Sequence, residues 1–475
     1  MVEKKEKKIG GARLVGFSVQ NFLSIYDTIT VDFTPQPDYV KEVIDKNIGD
    51  KNAYMGVFKT GNNKVPYTMA TLGIIGKNGA GKSNILKAME FFIKFIHRVR
   101  YIEEEEDDYN FIFPRYKYSR RSRYMDVKDM EDDKKKLAYQ PFKLYSKAKN
   151  EPTVFEMEFL IKDELYLYGF SYNDKNIKNE YLYIEDKIVF EREIDDEGRQ
   201  NYITLDMDKI LSKNKDVEDK NGLVSTWKDT TAAEQLFLRK AMVDNCILFR
   251  DIYVEFFDKL DFHLEIDERI SGVDINDLNE FIRDDDAKKF LLELYNKMDM
   301  EINNLHPNKI EEKRIITDSS GKTKERNFTN VNGMNTIKKD ELGHDVIFKL
   351  ENESNGIKSL TYLAVAFYKA FKEGNIVIVD EIENTFHNYV LNYMLKMFYN
   401  DEKWNGIGAQ LIFTTHNDMI FKYLNLNSIL ILNKVEHKTS LNYLIDYKGV
   451  NDDMDRWQLI QNYFAGMYDG IPDIK

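Results

Sequence analysis

Apolar residues recur along this chain in two rhythms. Over 13–33, Leu14, Phe17, Val19 and Phe22, then Ile29, Val31 and Phe33, alternate with polar neighbours, which predicts the two strands of a hairpin. After Pro66 the run Leu72-Gly73-Ile74-Ile75 is short and continuous, enters a glycine-rich turn, and gives way to Ile85, Ala88, Met89, Phe92, Ile93 and Ile96 at helical spacing. That order is strand, loop, helix. From 153 to about 205 the segments VFEMEFLI, ELYLYGFSY and YLYIEDKIVFERE alternate again and predict an antiparallel meander. Helical spacing takes over from about Thr231 to Leu305 without sustained heptads, so no long coiled coil is expected. A polar hairpin is expected around Ser319-Ser320-Gly321, and from 343 to 475 strands and helices alternate once more, with no internal repeat.

Composition narrows the class. A chain of 475 residues can build a large core, either as two or three domains or as one α/β domain with an insertion. The single cysteine, Cys246, excludes intramolecular disulfides and any paired-thiol metal site, which points to a reducing, cytoplasmic setting. No leader-like apolar stretch and no run of membrane-spanning length stands out, so neither secretion nor a membrane partner is expected. The net charge of −13 repels phosphate, and contact with nucleic acid therefore needs a local basic patch.

The chemistry is concentrated in two places. Gly76-Lys77-Asn78-Gly79-Ala80-Gly81-Lys82-Ser83, followed by Asn84, fits GxxxxGK[ST] between a predicted strand and a predicted helix. Glycines at 76, 79 and 81 let backbone N–H groups turn toward phosphate oxygens, and the helix N-terminus adds its partial positive charge. Lys82 is expected on the β- and γ-phosphates of ATP, and the Ser83 hydroxyl on Mg²⁺. Far downstream, Ile376-Val377-Ile378-Val379 is a buried β-branched run closing on Asp380 and Glu381. Carboxylates at the C-terminal tip of a buried parallel strand face the phosphate crevice, so Asp380 is expected to hold Mg²⁺ through water and Glu381 to act as general base. A further strand, Leu411 to Thr415, ends in His416; a lone histidine at a strand end is usually structural, but in an ATPase sheet this one would be placed to touch the γ-phosphate. Between the two halves, Ser354-Asn355-Gly356-Ile357-Lys358 opens an amphipathic helix; Ser354 is a good N-cap and Gly356 allows close backbone approach to a ligand.

The order of P-loop, S-x-G-x-K before a helix, hhhhDE and T-H resembles the ABC-type ATPase head of SMC, RecF-like and recombination-repair proteins. That resemblance implies two subunits sandwiching two ATPs, with Ser354, Gly356 and Lys358 of one subunit facing the γ-phosphate held by the other. The wide separation of Lys82 from Asp380, and SNGIK in place of the transporter SGGQ, disfavour a transporter role. FSVQNFLSIYDTITVDF, GxNGxGKSN, PFKLYSKAKNEPTVFEMEFLIKDELYLYGFSY, ESNGIKSL and YFAGMYDGIP together resemble the RloA/AbiLi-type ATPases of anti-phage and abortive-infection operons. The expected fold is thus an α/β ABC-type (SMC/RecF-like) P-loop ATPase head with an antiparallel β subdomain and a helical insertion. Residues 1–225 and 341–475 would form the two parts of the head, and 226–340 the helical insertion and hairpin. The resemblance implies a homodimer or higher oligomer working with a separately encoded effector, a Toprim nuclease among the candidates, under a trigger of phage origin or DNA. The alternative is a DNA-maintenance ATPase of the RecF/SMC type. A self-contained nuclease of the OLD type is disfavoured, because too little chain follows His416 for a Toprim cluster.

Some positions depart from the resembled pattern. Leu23 stands where Arg is usual, Asn355 where Asp or Gly is common, and Glu383 where Asp is common, while His387 is retained. Gln140, before Pro141, lies near the place of a Q-loop and is either an Mg²⁺ or water ligand or a polar residue before a turn. Arg115, Lys117, Arg120, Arg121 and Arg123 interleave with tyrosines, which suits a nucleic-acid groove; they equally suit a solvated arm paired with the acidic run 103–108, or an acidic partner protein.

Overall fold

The computed structural model describes residues 11–41, 56–97, 139–214, 218–264, 278, 280–317, 323–383, 388–399, 404–451 and 453–470, with backbone alone at 310–317, 323–332 and 388. The basic stretch Arg115, Lys117, Arg120, Arg121 and Arg123, and His387, lie outside these residues.

Alternation in the sequence becomes a seven-stranded antiparallel sheet. Its strands are β1 (Arg13–Gln20), β2 (Ile29–Asp32), β6 (Thr153–Ile161), β7 (Glu164–Tyr172), β8 (Ile177–Ile184), β9 (Lys187–Ile194) and β10 (Gln200–Leu205), in the order β10-β9-β8-β7-β6-β1-β2. Two of its hairpins close on two-residue turns in which both residues have positive φ, Lys162-Asp163 and Glu185-Asp186. This is the turn that matches strand twist, made here without glycine. A small ribbon, β3 (Val57–Lys59) with β4 (Tyr67–Met69), leads into the second sheet.

That second sheet carries the chemistry. It comprises β5 (Thr71–Gly76), β11 (Leu260–His263), β15 (Ile376–Val379), β16 (Gln410–Thr415), β17 (Ile429–Val435) and β18 (Lys438–Tyr443), in the order β11-β15-β16-β5-β17-β18. All neighbours are parallel except the β17–β18 hairpin. Parallel strands of this kind are covered on both faces. Accordingly Ile376, Ile378 and Ile412 enter one core, with the P-loop helix Lys82–His97 and the antiparallel sheet, whereas Val377, Val379, Leu411 and Phe413 enter another. The second core includes the helices Asp285–Lys297, Asn355–Glu373, Asn388–Phe398 and Arg456–Phe464. Rings fasten the P-loop helix to the antiparallel sheet: Phe92 stacks on Phe170 at 5.3 Å between centroids and meets Phe17 edge-on at 6.1 Å.

The region expected to be helical from 231 to 305 does contain the helices Phe237–Val243, Ile247–Glu255 and Asp285–Lys297. It also contains β11, which the periodicity did not show. Four residues, LDFH, are too short to register a period of two, and they are ordered by pairing with β15 across Leu260↔Ile376 to His263↔Val379. The expected polar hairpin is the long pair β12 (Asn304–Thr317) and β13 (Thr323–Lys339), flanked by β14 (Asp345–Lys349).

Candidate functional site

β5, β15 and β16 run side by side in the same direction, so their C-terminal ends open on one edge of the sheet. At the end of β5 the chain turns through Gly76, Gly79 and Gly81 into the P-loop helix. A Cβ at Gly76 would lie 2.3 Å from the Leu432 carbonyl oxygen, and one at Gly81 would lie 2.3 Å from Thr439 Oγ1, so both positions exclude a side chain. Gly79 has open space around it but φ of 76°, and with Asn78 it stands exposed at the loop tip. Ala80 is buried and its N–H bonds to the Lys77 carbonyl at 3.1 Å. Asn84 donates to Ser24 Oγ at 2.7 Å, and Ser24 Oγ lies 2.7 Å from Thr439 Oγ1, which ties the loop to the turn after β1 and to β18. Ser83, at the first turn of the helix, is half-buried.

Lys82 points back into the loop. Its ammonium donates to the carbonyls of Gly76 at 2.8 Å and Lys77 at 3.4 Å and lies 3.4 Å from His416 Nδ1. Burial pulls its pKa below the usual lysine range, and Glu381, Glu383 and Asp380 oppose that pull. An ammonium facing three carboxylates stays charged more readily than burial alone would allow. His416 Nε2 is in turn 4.0 Å from Glu381 Oε1, with the His416 and Glu381 side chains 38% and 44% exposed. Both therefore remain open to solvent and to a ligand in the crevice.

The exit from β15 is held by the exit from β16. Thr414 Oγ1 bonds to Asp380 Oδ1 and also accepts the Glu381 N–H at 2.8 Å, and the Thr414 carbonyl accepts the Ile382 N–H at 3.1 Å. Glu381 has φ of 48°, a left-handed conformation that a non-glycine residue keeps only when its surroundings enforce it. Glu383 accepts the His416 N–H, and its second oxygen is buried with no hydrogen-bond partner among the described residues. On the far side, the Asp380 N–H bonds to the His263 carbonyl at 3.1 Å, so β11 also fixes this turn.

Lys82, Asp380, Glu381 and His416 are thus brought together. The helix Asn355–Glu373 begins elsewhere: Ser354 is exposed and accepts the Ile357 N–H at 3.4 Å, Gly356 and Lys358 are half-buried, and Glu353 just before them is bound by Thr336 and by Lys338 at 2.7 Å. No described contact joins Ser354 to the P-loop of its own chain. Gln140 acts through its backbone, its carbonyl accepting the Leu23 N–H at 2.9 Å, and its side chain has no described contact with Ser83 or Asp380. Leu23 itself packs against the hydrophobic core, so no polar contact to the crevice comes from that position. Thr414 went unnoticed in the sequence, although the two hydroxyls, Thr414 and Thr415, that close the buried run LIFTT are a signal, since a polar group in a buried strand needs a partner.

The donor set suits MgATP. The glycine cradle and helix N-terminus fit phosphate, Lys82 fits its charge, and the Ser83 hydroxyl with the Asp380 carboxylate are hard oxygen donors. Among the described residues no group of three His, Cys, Asp or Glu side chains could hold a metal ion. A magnesium ion held by Ser83 and Asp380 would complete its shell with phosphate and water, as it usually does.

Residues 72–421 match the family described as "AAA domain, putative AbiEii toxin, Type IV TA system". The chain belongs to that family. It is a P-loop ATPase family, and the matched segment, well over half of the chain, runs from β5 past the Asp380–Glu381 turn to His416 and beyond. No curated protein matches the chain. Among the described residues no helix is long and apolar enough to cross a membrane.

Proposed function

We infer that this protein is an ATP-binding and hydrolysing switch subunit of an anti-phage defence system, with an ABC-type head that closes on a second copy around ATP. The observation that carries the reading is the convergence of Lys82, Asp380, Glu381 and His416 at three adjacent strand ends. The glycine cradle and Lys82 would bind the phosphates, Ser83 and Asp380 would hold Mg²⁺, and bound Mg²⁺ would neutralise charge developing on the phosphates. Glu381 would take the proton of the attacking water as the bond to the leaving ADP breaks, and His416 would contact the transferred phosphoryl group. The exposed cap Ser354, with Gly356 and Lys358, would be supplied to the partner's nucleotide, which gives the head a reason to dimerise. The head would draw on 1–225 and 341–475, with β11 the part of 226–340 that joins its sheet.

The family's description supports a setting of abortive infection or toxin and antitoxin. In that setting the closed and open forms would hold and release a separately encoded effector. The test is Glu381→Gln. Nucleotide binding should persist, turnover should fall by about 100-fold or more, and an ATP-dependent dimer should accumulate on gel filtration. Turnover at the parental rate would remove Glu381 from the role of base. Strong stimulation of the parent by DNA ends alone would favour the DNA-maintenance alternative.

A further inference from the structure

One hydroxyl sits between the two carboxylates to which the proposed chemistry assigns different tasks. Thr414 is fully buried in β16, next to β15. Its Oγ1 reaches Asp380 Oδ1 on one side and the Glu381 N–H on the other, and its carbonyl takes the Ile382 N–H. A hydroxyl has one proton to give. The amide of Glu381 can only donate, so the hydroxyl must accept there and give its proton to Asp380. The direction of both bonds is thereby fixed. The ladder between β15 and β16 ends at Val379↔Phe413, so Thr414 is the residue that carries the pairing beyond the strand and into the turn. Three successive residues, 380 to 382, depend on it, and the middle one is the left-handed Glu381.

We propose that Thr414 is a positioning residue that couples the metal-holding carboxylate to the base. Its hydroxyl occupies one lone pair of Asp380 Oδ1, and the carboxylate so oriented would hold Mg²⁺ through water. The same atom anchors the backbone of Glu381, so the orientation of Asp380 and the aim of Glu381 are set together. This inference rests on the ATPase reading above.

The experiment compares Thr414→Val and Thr414→Ser with the parent. Valine keeps the β-branched shape that suits the strand and removes only the hydroxyl; serine restores the hydroxyl. Binding of a fluorescent ATP analogue is titrated in EDTA and then with increasing Mg²⁺, and hydrolysis is measured alongside. For Thr414→Val, binding in EDTA should stay within twofold of the parent, half-saturating Mg²⁺ should rise at least fivefold, and kcat should fall at least tenfold. Thr414→Ser should restore both to within about threefold, an outcome that a loss of packing does not produce. The proposal is overturned if the valine variant keeps the parental Mg²⁺ dependence and kcat. It is also overturned if serine fails to rescue, or if binding in EDTA is lost together with thermal stability, since that marks a structural role. A parent that binds no nucleotide sinks the ATPase reading itself, whereas a parent that binds with an unshifted Mg²⁺ curve in the valine variant sinks only the role of Thr414.

Discussion

At Gly81 the chain has room for a hydrogen and nothing larger. A methyl group there would lie 2.3 Å from Thr439 Oγ1 and 2.7 Å from Ser24 Oγ, and φ is 105°. Those two oxygens also hold each other and, through Ser24, Asn84. Gly81→Ala should therefore lower stability by ~1–3 kcal/mol and abolish the rise in melting temperature on adding ATP. Gly79→Ala meets no neighbour and strains only φ, at about 1 kcal/mol, and should keep part of that rise. Thermal melts with and without MgATP check the order. The glycines were legible from sequence because phosphate chemistry demands small residues at that spacing. Their reasons differ, and only the packing of β18 and the turn after β1 reveals that Gly81 is excluded by side chains and Gly79 by backbone conformation alone. Thr414 was hidden for the converse reason: threonine is an ordinary strand residue, and its role exists only because β15 lies beside it.

The last described turn of the P-loop helix carries His97, which is half-buried. The Tyr253 hydroxyl lies 2.8 Å from His97 Nδ1, and burial, aided by the positive charge of Arg239, pushes the imidazole down to about 3. An unfolded histidine titrates near 6.5. Between these values the unfolded chain binds a proton that the folded chain refuses, so stability is full above the unfolded value and is lost as pH falls from about 6.5 toward 3. The slope is about 1.4 kcal/mol per pH unit for one such group. Comparing urea midpoints from pH 7 to 5, His97→Gln should lose this slope relative to the parent, whatever its absolute stability. Helix and strand periodicity had placed this helix correctly, as they did the meander and the strands at 72–75, 376–379 and 411–415. They failed at β11, where four residues take their conformation from β15 and not from their own pattern. They separated two strands at Lys162-Asp163 but read YLYIEDKIVFERE straight through Glu185-Asp186, where the usual glycine of a hairpin turn is absent.

Across the whole molecule, side chains join the two large sheets: Tyr443 of β18 bonds to the backbone of Asp32 in β2, and a second link is deeper. Gln410, at the start of β16, is fully buried; it accepts the Leu14 N–H at 2.8 Å and donates to the carbonyls of Leu14 at 3.1 Å and Met69 at 3.0 Å. The β1–β6 register shifts between Leu14 and Gly16, so the glutamine serves a backbone disturbed by the bulge. Gln410→Leu would leave these groups buried without partners and should destabilise by ~2–4 kcal/mol in urea unfolding. If the sheets are thermodynamically one unit, the transition should remain single and merely shift; a second transition would show that Gln410 is what makes them cooperate. Alternation predicted strands of the antiparallel sheet and continuous apolar runs predicted strands of the parallel one, but neither showed their connection. A glutamine opening an apolar strand reads as a strand boundary until the bulge it serves is seen.

The order of the parallel sheet also bears on how the protein is made. β5, which ends in the glycine loop, lies between β16 and β17, and both are encoded far later than it. While the ribosome works through the intervening chain, β5 has neither neighbour, and its apolar residues and unpaired edges are a hazard for aggregation. Pairings this distant in sequence form slowly. The phosphate loop is thus among the first functional segments synthesised and among the last to acquire its floor. A nascent or truncated chain would carry the glycine motif without Asp380, Glu381 and His416, so the crevice at the three strand ends is complete only once the late strands have closed around the early one.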